Sequence, residues 1–238
     1  LLSASASLPL IYFTGKNRIS PLTAPNFCML LRKHIGSARI TAIRQPGLER
    51  VVEFELEHLN ELGDVCHKVL IMELMGKHSN IPHTQDKLDP LTISREDFME
   101  KVCGRSNAVS KALYQTLTGF SPVMAQELCY RASIDGNDDV QTLDENTKEQ
   151  LYTEFTRLME QIRREEFTPV IVFKGDEPVE YGVLPFSQYG EGFTTRTFES
   201  VSEMLETYYA SRDVITCIRQ KSADLRKIVQ TALDRNRK

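Results

Sequence analysis

Glu49 and Arg50 stand side by side after a Pro46-Gly47 corner, at the head of the alternating run VVEFELE. A guanidinium in that place offers a planar fork of donors matched to a phosphate or to a base edge. The neighbouring carboxylate can accept from a base amine or orient the arginine. The pair therefore fits nucleic-acid recognition. The plain alternative is an exposed ion pair at a strand end, worth about 0–1 kcal/mol, and the two residues alone do not decide between these. Arg39 and Arg44 in ARITAIRQ, and Lys77 in MGKHSN, lie on or beside neighbouring strands and would line the same edge.

A second candidate is the hairpin TGFSP, where Gly119 and Ser121 precede VMAQELCYRA. Ser121 is placed to cap that helix, with Pro122 in its first turn. Backbone amides at such a helix start suit a phosphate; a capped helix pair without a ligand explains the same residues equally well. A third is the basic tail, whose Ile218, Ser222, Leu225, Val229 and Ala232 recur at heptad spacing. An ordinary surface helix or an oligomer seam would show the same pattern.

Catalytic patterns are missing. There is no Gly-rich phosphate loop, no G-x-S-x-G and no H-E-x-x-H. Glu73 within a strand reads as a satisfied structural carboxylate, and Cys66-His67 beside a turn does not form a dyad. The five cysteines include no C-x-x-C pair, and the five histidines do not cluster at metal-ligand spacing. Buried thiols in a reducing cytosol, no cofactor and no zinc are the expectation.

These side chains need elements to hold them. Residues 1–14 suggest a strand. Thr23-Ala24-Pro25 opens a helix, capped by Thr23, that runs through Ile35 and ends at Gly36. A meander follows: ARITAIRQ, RVVEFELE and a third, more buried strand, VLIMELMG. Ser94 with Asp97 resembles a capping box. Two helices joined by L-x-G-F-S-P then make a helix-hairpin-helix. Residues 144–166 form an amphipathic helix, a hairpin turns at Gly175-Asp176, and a helix near 200–210 closes that unit. The expected fold class is α+β: a β-rich N-terminal domain at 1–86, a helix-hairpin-helix module at 87–135, an α+β unit packing with the N-terminal domain at 136–213, and the start of a coiled coil at 214–238. The chain opens without Met inside a strand, and Ile81 runs abruptly into Pro82, so a missing N-terminus and a missing loop are expected.

At 238 residues, with 41% hydrophobic and 26% charged side chains, this is an ordinary globular composition. No apolar run is long enough for a membrane span, and no signal peptide is expected. The net charge of −4 hides asymmetry. Residues 144–213 are strongly acidic and make a poor phosphate surface, while the tail is basic, a distribution that points to a polyanionic partner touching part of the surface.

SASASLP, PNFCMLLRKHIG, QPGLERVVEFE, NELGD and MELMGKHSNI follow one another in an order and spacing that resemble the NFACT family. The likeness continues through TQDKLDPL, the helix-hairpin-helix and YGVLPFSQYG into the tail, and covers essentially the whole chain. It implies an N-terminal domain like that of formamidopyrimidine-type DNA glycosylases, a helix-hairpin-helix and a coiled coil. It also implies a cytoplasmic binding factor rather than an enzyme. Its partners would be the stalled large ribosomal subunit with peptidyl-tRNA, and alanyl-tRNA recruited for mRNA-independent alanine addition to the nascent chain. The family's Asp-Arg motif for tRNA falls on Glu49 and Arg50; the Glu keeps the charge and lengthens the reach by one methylene. The rival readings are a DNA glycosylase-like protein, which lacks its zinc-ligand cluster here, and a fibronectin- or fibrinogen-binding adhesin, for which no residue speaks.

Overall fold

The computed structural model describes residues 1–5, 8–17, 22–59, 63–74 and 87–211. The heptad tail, Lys77 and the 81–82 join lie outside the described residues. The chain divides into two compact units. One comprises Leu1–Ile11 and Gly15–Glu165, the other Tyr12–Thr14 and Glu166–Lys238.

The first unit begins with a hairpin of β1 (Leu2–Ser5) and β2 (Leu8–Ile11), not with one continuous strand. Helix α1 (Asn26–Ile35) follows, and its N-cap is Pro25 rather than Thr23. Pro25 supplies extended backbone but no side-chain acceptor, so the helix starts uncapped. Gly36 does end it, with its N–H bonded to the Arg32 carbonyl, although the left-handed residue is Ser37 at φ +61°. The antiparallel sheet β3–β4–β5 comes next: β3 (Arg39–Arg44), β4 (Val51–Leu59) and β5 (Val65–Glu73). Along β4 the even positions point inward, burying Phe54 and Leu56 with Met72 of β5; Ile11, Ile35 and Ala38 close that core. The odd positions carry Glu53, Glu55 and Glu57 on the opposite face. β5 starts earlier than its apolar run and is not the most buried strand. It is an edge strand, and its outward set Val65, Val69 and Ile71 stays more than half exposed.

The helical part of this unit holds α2 (Arg95–Lys101), α3 (Val109–Thr116), α4 (Pro122–Arg131) and α5 (Glu145–Arg163). Phe98, Leu113, Leu128, Leu151 and Leu158 are buried, with Phe98 and Phe155 ring centroids 4.7 Å apart. Residue 88 pairs with 117 through Leu88 N–H to Thr116 O (2.8 Å) and Thr118 N–H to Leu88 O (2.9 Å). At α2 the Ser94 Oγ accepts from Asp97 N–H at 3.0 Å and donates to the Asp97 carboxylate at 3.0 Å. The reciprocal bond thus runs side chain to side chain, because Asp is too short to reach back to the Ser94 amide. Asp144 caps α5, accepting from Thr147 N–H at 2.7 Å.

The second unit is the sheet β7–β6–β8: β6 (Val170–Lys174), β7 (Glu177–Gly182) and β8 (Thr194–Thr197). The two-residue turn between β6 and β7 is Gly175-Asp176, with Gly175 at φ +61° as a primed turn requires. A helix over 201–211, α6, covers this sheet and buries Met204 and Tyr208 against Ile171 and Phe198. Residues 12–14 join it through Phe13 N–H to Ser202 Oγ (3.1 Å) and Thr14 Oγ1 to Glu206 (2.8 Å). The partition differs from the expected one in a single large element. Helix α5 packs on α2 and α4 in the first unit and leaves the β6–β7 hairpin to α6.

Candidate nucleic-acid interface

The link from β3 to β4 is a tight turn. Gly47 sits at φ +51°, and the Glu49 N–H returns to the Pro46 carbonyl at 3.0 Å. A residue without a Cβ adopts that φ without strain, so the Pro-Gly corner fixes where the next two side chains emerge. Their carbonyls are both engaged. Gln45 Nε2 donates to Glu49 O at 2.8 Å, and the Leu74 N–H donates to Arg50 O at 2.7 Å, prolonging the β4–β5 ladder by one rung. The backbone is therefore held while both side chains are exposed. Among the described residues neither side chain takes a hydrogen bond or ion pair, and the strand-end ion pair does not form.

Arg44 is differently placed. Its Nε donates to Glu55 Oε1 at 2.6 Å, and that bond holds its pKa above the ordinary arginine value. Arg39 is likewise paired with Glu57 at 2.7 Å. These two arginines are engaged by carboxylates of β4. Lys77 lies outside the described residues.

The hairpin that the sequence treats as a separate candidate meets this turn. Gly119 has φ +77°, and a Cβ there would stand 2.7 Å from Leu48 Cβ and 2.9 Å from Leu48 O. Leu48 is the residue before Glu49. Asp89 lies beside the same turn, its carboxylate 3.7 Å from where a Cβ on Gly47 would sit. The Ser121 Oγ accepts from Met124 N–H at 3.1 Å, so it is committed to capping α4. The structure thus brings Gly119 against Leu48, the residue before Glu49, and keeps Ser121 as a cap.

One residue escapes a reading of the sequence. Lys87, half-buried, donates from Nζ to the Tyr114 carbonyl at 3.0 Å. Burial lowers its pKa, the Arg50 charge lowers it further, and the Glu49 carboxylate offsets part of that. No spacing rule links positions 50 and 87. The Arg50 charge reaches Lys87 through the fold, since residue 88 pairs with the end of α3 while Gly119 packs on Leu48. The nearest signal is the string TQDKLDPL immediately before the helical module.

The family model for NFACT N-terminal and middle domains matches residues 1–82 and 81–238. The chain belongs to the NFACT family. The two NFACT segments meet where Ile81 runs abruptly into Pro82. Among relatives, the Rqc2 homolog RqcH of Bacillus subtilis is 27% identical over 271 residues covering 99% of this chain. The Rqc2 homolog RqcH of Streptococcus suis is 26% identical and covers 100% of it. The chain spans about half the length of these relatives, 45% of each. Among solved structures, the N-terminal part of the fibronectin/fibrinogen-binding protein of Streptococcus suis superposes with a TM-score of 0.65 at 25% identity, over 88% of this chain and 81% of that one. The fibrinogen-binding protein of Staphylococcus aureus shares the fold, with a TM-score of 0.72 at 21% identity over 87% and 81% of the two chains.

The NFACT turn can do one thing chemically. It presents an arginine fork and a carboxylate from a backbone held by hydrogen bonds. Burial pushes the Cys103 and Cys129 thiols up to about 11 and about 12, so neither supplies a thiolate nucleophile near neutral pH.

Proposed function

We propose that this chain is the tRNA-engaging part of a ribosome quality-control factor. It binds the stalled large ribosomal subunit carrying peptidyl-tRNA and recruits alanyl-tRNA for mRNA-independent alanine addition. The peptide bond is made by the ribosome, so the protein acts by binding, in the cytoplasm. The names of its relatives support the quality-control part of this reading. The observation that carries the tRNA part is the exposed Arg50 fork on a backbone held by the Pro46 and Leu74 hydrogen bonds. The family's Asp-Arg motif falls on Glu49 and Arg50, and phosphate contact with unpaired loop bases is the way such an edge reads RNA.

Binding of fluorescent alanyl-tRNA to the chain and to its Arg50→Ala variant, at two salt concentrations, tests this. The wild type binds more weakly as salt rises, and Arg50→Ala loses affinity and flattens that dependence by about one unit of slope. Equal binding by both proteins overturns the assignment. A second reading, adhesion to fibronectin or fibrinogen, draws support from the similar Streptococcus suis protein, which is named for binding both; immobilised fibronectin in the same assay separates the two.

A further inference from the structure

The open side of β5 has none of the usual guards. Native sheets blunt an edge strand with proline, a bulge or an outward lysine. β5 contains no proline, and its register with β4 runs unbroken from Val65 to Glu73. Its one lysine, Lys68, lies opposite the buried Leu56 and is tied to the His34 carbonyl at 2.6 Å. Just beyond the strand the Leu74 N–H bonds the Arg50 carbonyl, so the even residues of β5 turn their backbone groups to β4. The odd residues therefore turn theirs to the open edge. Those same residues carry the outer-face side chains. Val65, Val69 and Ile71 are more than half exposed, and the His67 side chain is 73% exposed. Among the described residues Glu73 takes no hydrogen bond or ion pair.

We propose that β5 is a homodimer edge, pairing antiparallel with β5 of a second copy of this chain about a two-fold axis at Leu70. The backbone groups on the open side allow only registers that set odd residues opposite odd ones. The string HKVLIME, His67 to Glu73, selects among them. Centred on Leu70, Glu73 faces His67 of the second copy and Ile71 faces Val69 of the second copy, and the two-fold repeats both pairs. No other such register sets the carboxylate opposite the imidazole. Centring on Lys68 would instead bring lysine against lysine. The His67 Nδ1 lies 3.7 Å from Glu57 of its own chain, a carboxylate already held by Arg39, which leaves Nε2 for the second copy. β-branched side chains paired across strands, and an acid opposite a base, each favour the pairing. A foreign strand would have to match this pattern, whereas a second copy carries the complement by symmetry. The two sheets join into one, with their Glu49-Arg50 turns at opposite ends of the paired strands.

Sedimentation equilibrium of the full chain over a concentration series tests this. The wild type is expected to show a reversible monomer–dimer equilibrium. Val69→Lys alters an exposed position that meets Ile71 of the second copy, and the change enters twice; it should weaken the dimer more than about tenfold. Glu73→Lys should weaken it about tenfold, and adding His67→Glu to that variant should restore it. Such a rescue does not arise from a damaged fold, and circular dichroism checks that each variant stays folded. A wild type that remains monomeric throughout leaves the edge to a strand of another protein and overturns the proposal. A dimer that Val69→Lys leaves intact lies on another surface and overturns it too. A dimer that Val69→Lys breaks, but that the charge exchange does not restore, overturns the register at Leu70.

Discussion

Gly119 is the residue on which the site leans hardest without touching a ligand. Its φ of +77° already excludes most side chains, and a Cβ would meet both the Leu48 side chain and the Leu48 carbonyl. Gly119→Ala is therefore expected to lower stability by roughly 1–3 kcal/mol in urea unfolding. It should also weaken tRNA binding, because Leu48 moves and Glu49 follows; a variant with unchanged midpoint and affinity would show the contact to be slack. At this scale the sequence is legible where local chemistry is strong. Pro46-Gly47 announces a turn, and a turn announces exposed side chains after it. Lys87 is not legible, since its partner, the Tyr114 carbonyl, is reached only through the fold. Arg44 reads as part of the same edge because sequence shows a charge and not the Glu55 that holds it.

The helix starts divide along the same line. Ser94 and Ser121 cap as their spacing implies, since a short polar side chain and the third amide along are a local affair; Asp144 caps α5 by the same geometry. Thr23 does not, because Pro25 sets the backbone at the start of α1. For α4 the cap and the phosphate hypotheses can be parted by two substitutions. Ser121→Ala should cost about 1 kcal/mol of stability, read from a thermal or urea transition. Ser121→Asp keeps the acceptor and adds a charge favoured at a helix start, so it should melt like the wild type. If Ser121→Asp also leaves tRNA affinity unchanged, the α4 start carries no phosphate; a selective loss of binding in a protein of full stability would place one there. β5 is less buried than its sequence suggests for a physical reason. VLIMELM is apolar on both faces, and only the pairing shows that one of them stays open.

Across the whole molecule, the α+β class and the order of elements follow from periodicity, while the partition does not. Helix α5 has an apolar stripe of Leu151, Phe155 and Leu158, which says that it packs and not where. Its partners are α2 and α4, through Phe98 and the Phe155 ring. Phe98 is wholly buried at that junction. Phe98→Ala should lower stability by about 3–5 kcal/mol in urea unfolding, and retention of the wild-type midpoint would mean that α5 does not belong to this core. No helix among the described residues is long and apolar enough to cross a membrane.

The contact of Gly119 with Leu48 has a mechanical side. The Gly119 backbone lies directly against the Cβ and carbonyl of Leu48, atoms fixed by the Leu48 backbone, so little between them can absorb a displacement. On the proposed tRNA reading, a strand tugging on Arg50 therefore pulls α4 along with the sheet. The joint behaves as a rigid lever, and the angle at which the molecule holds its load is set at a glycine.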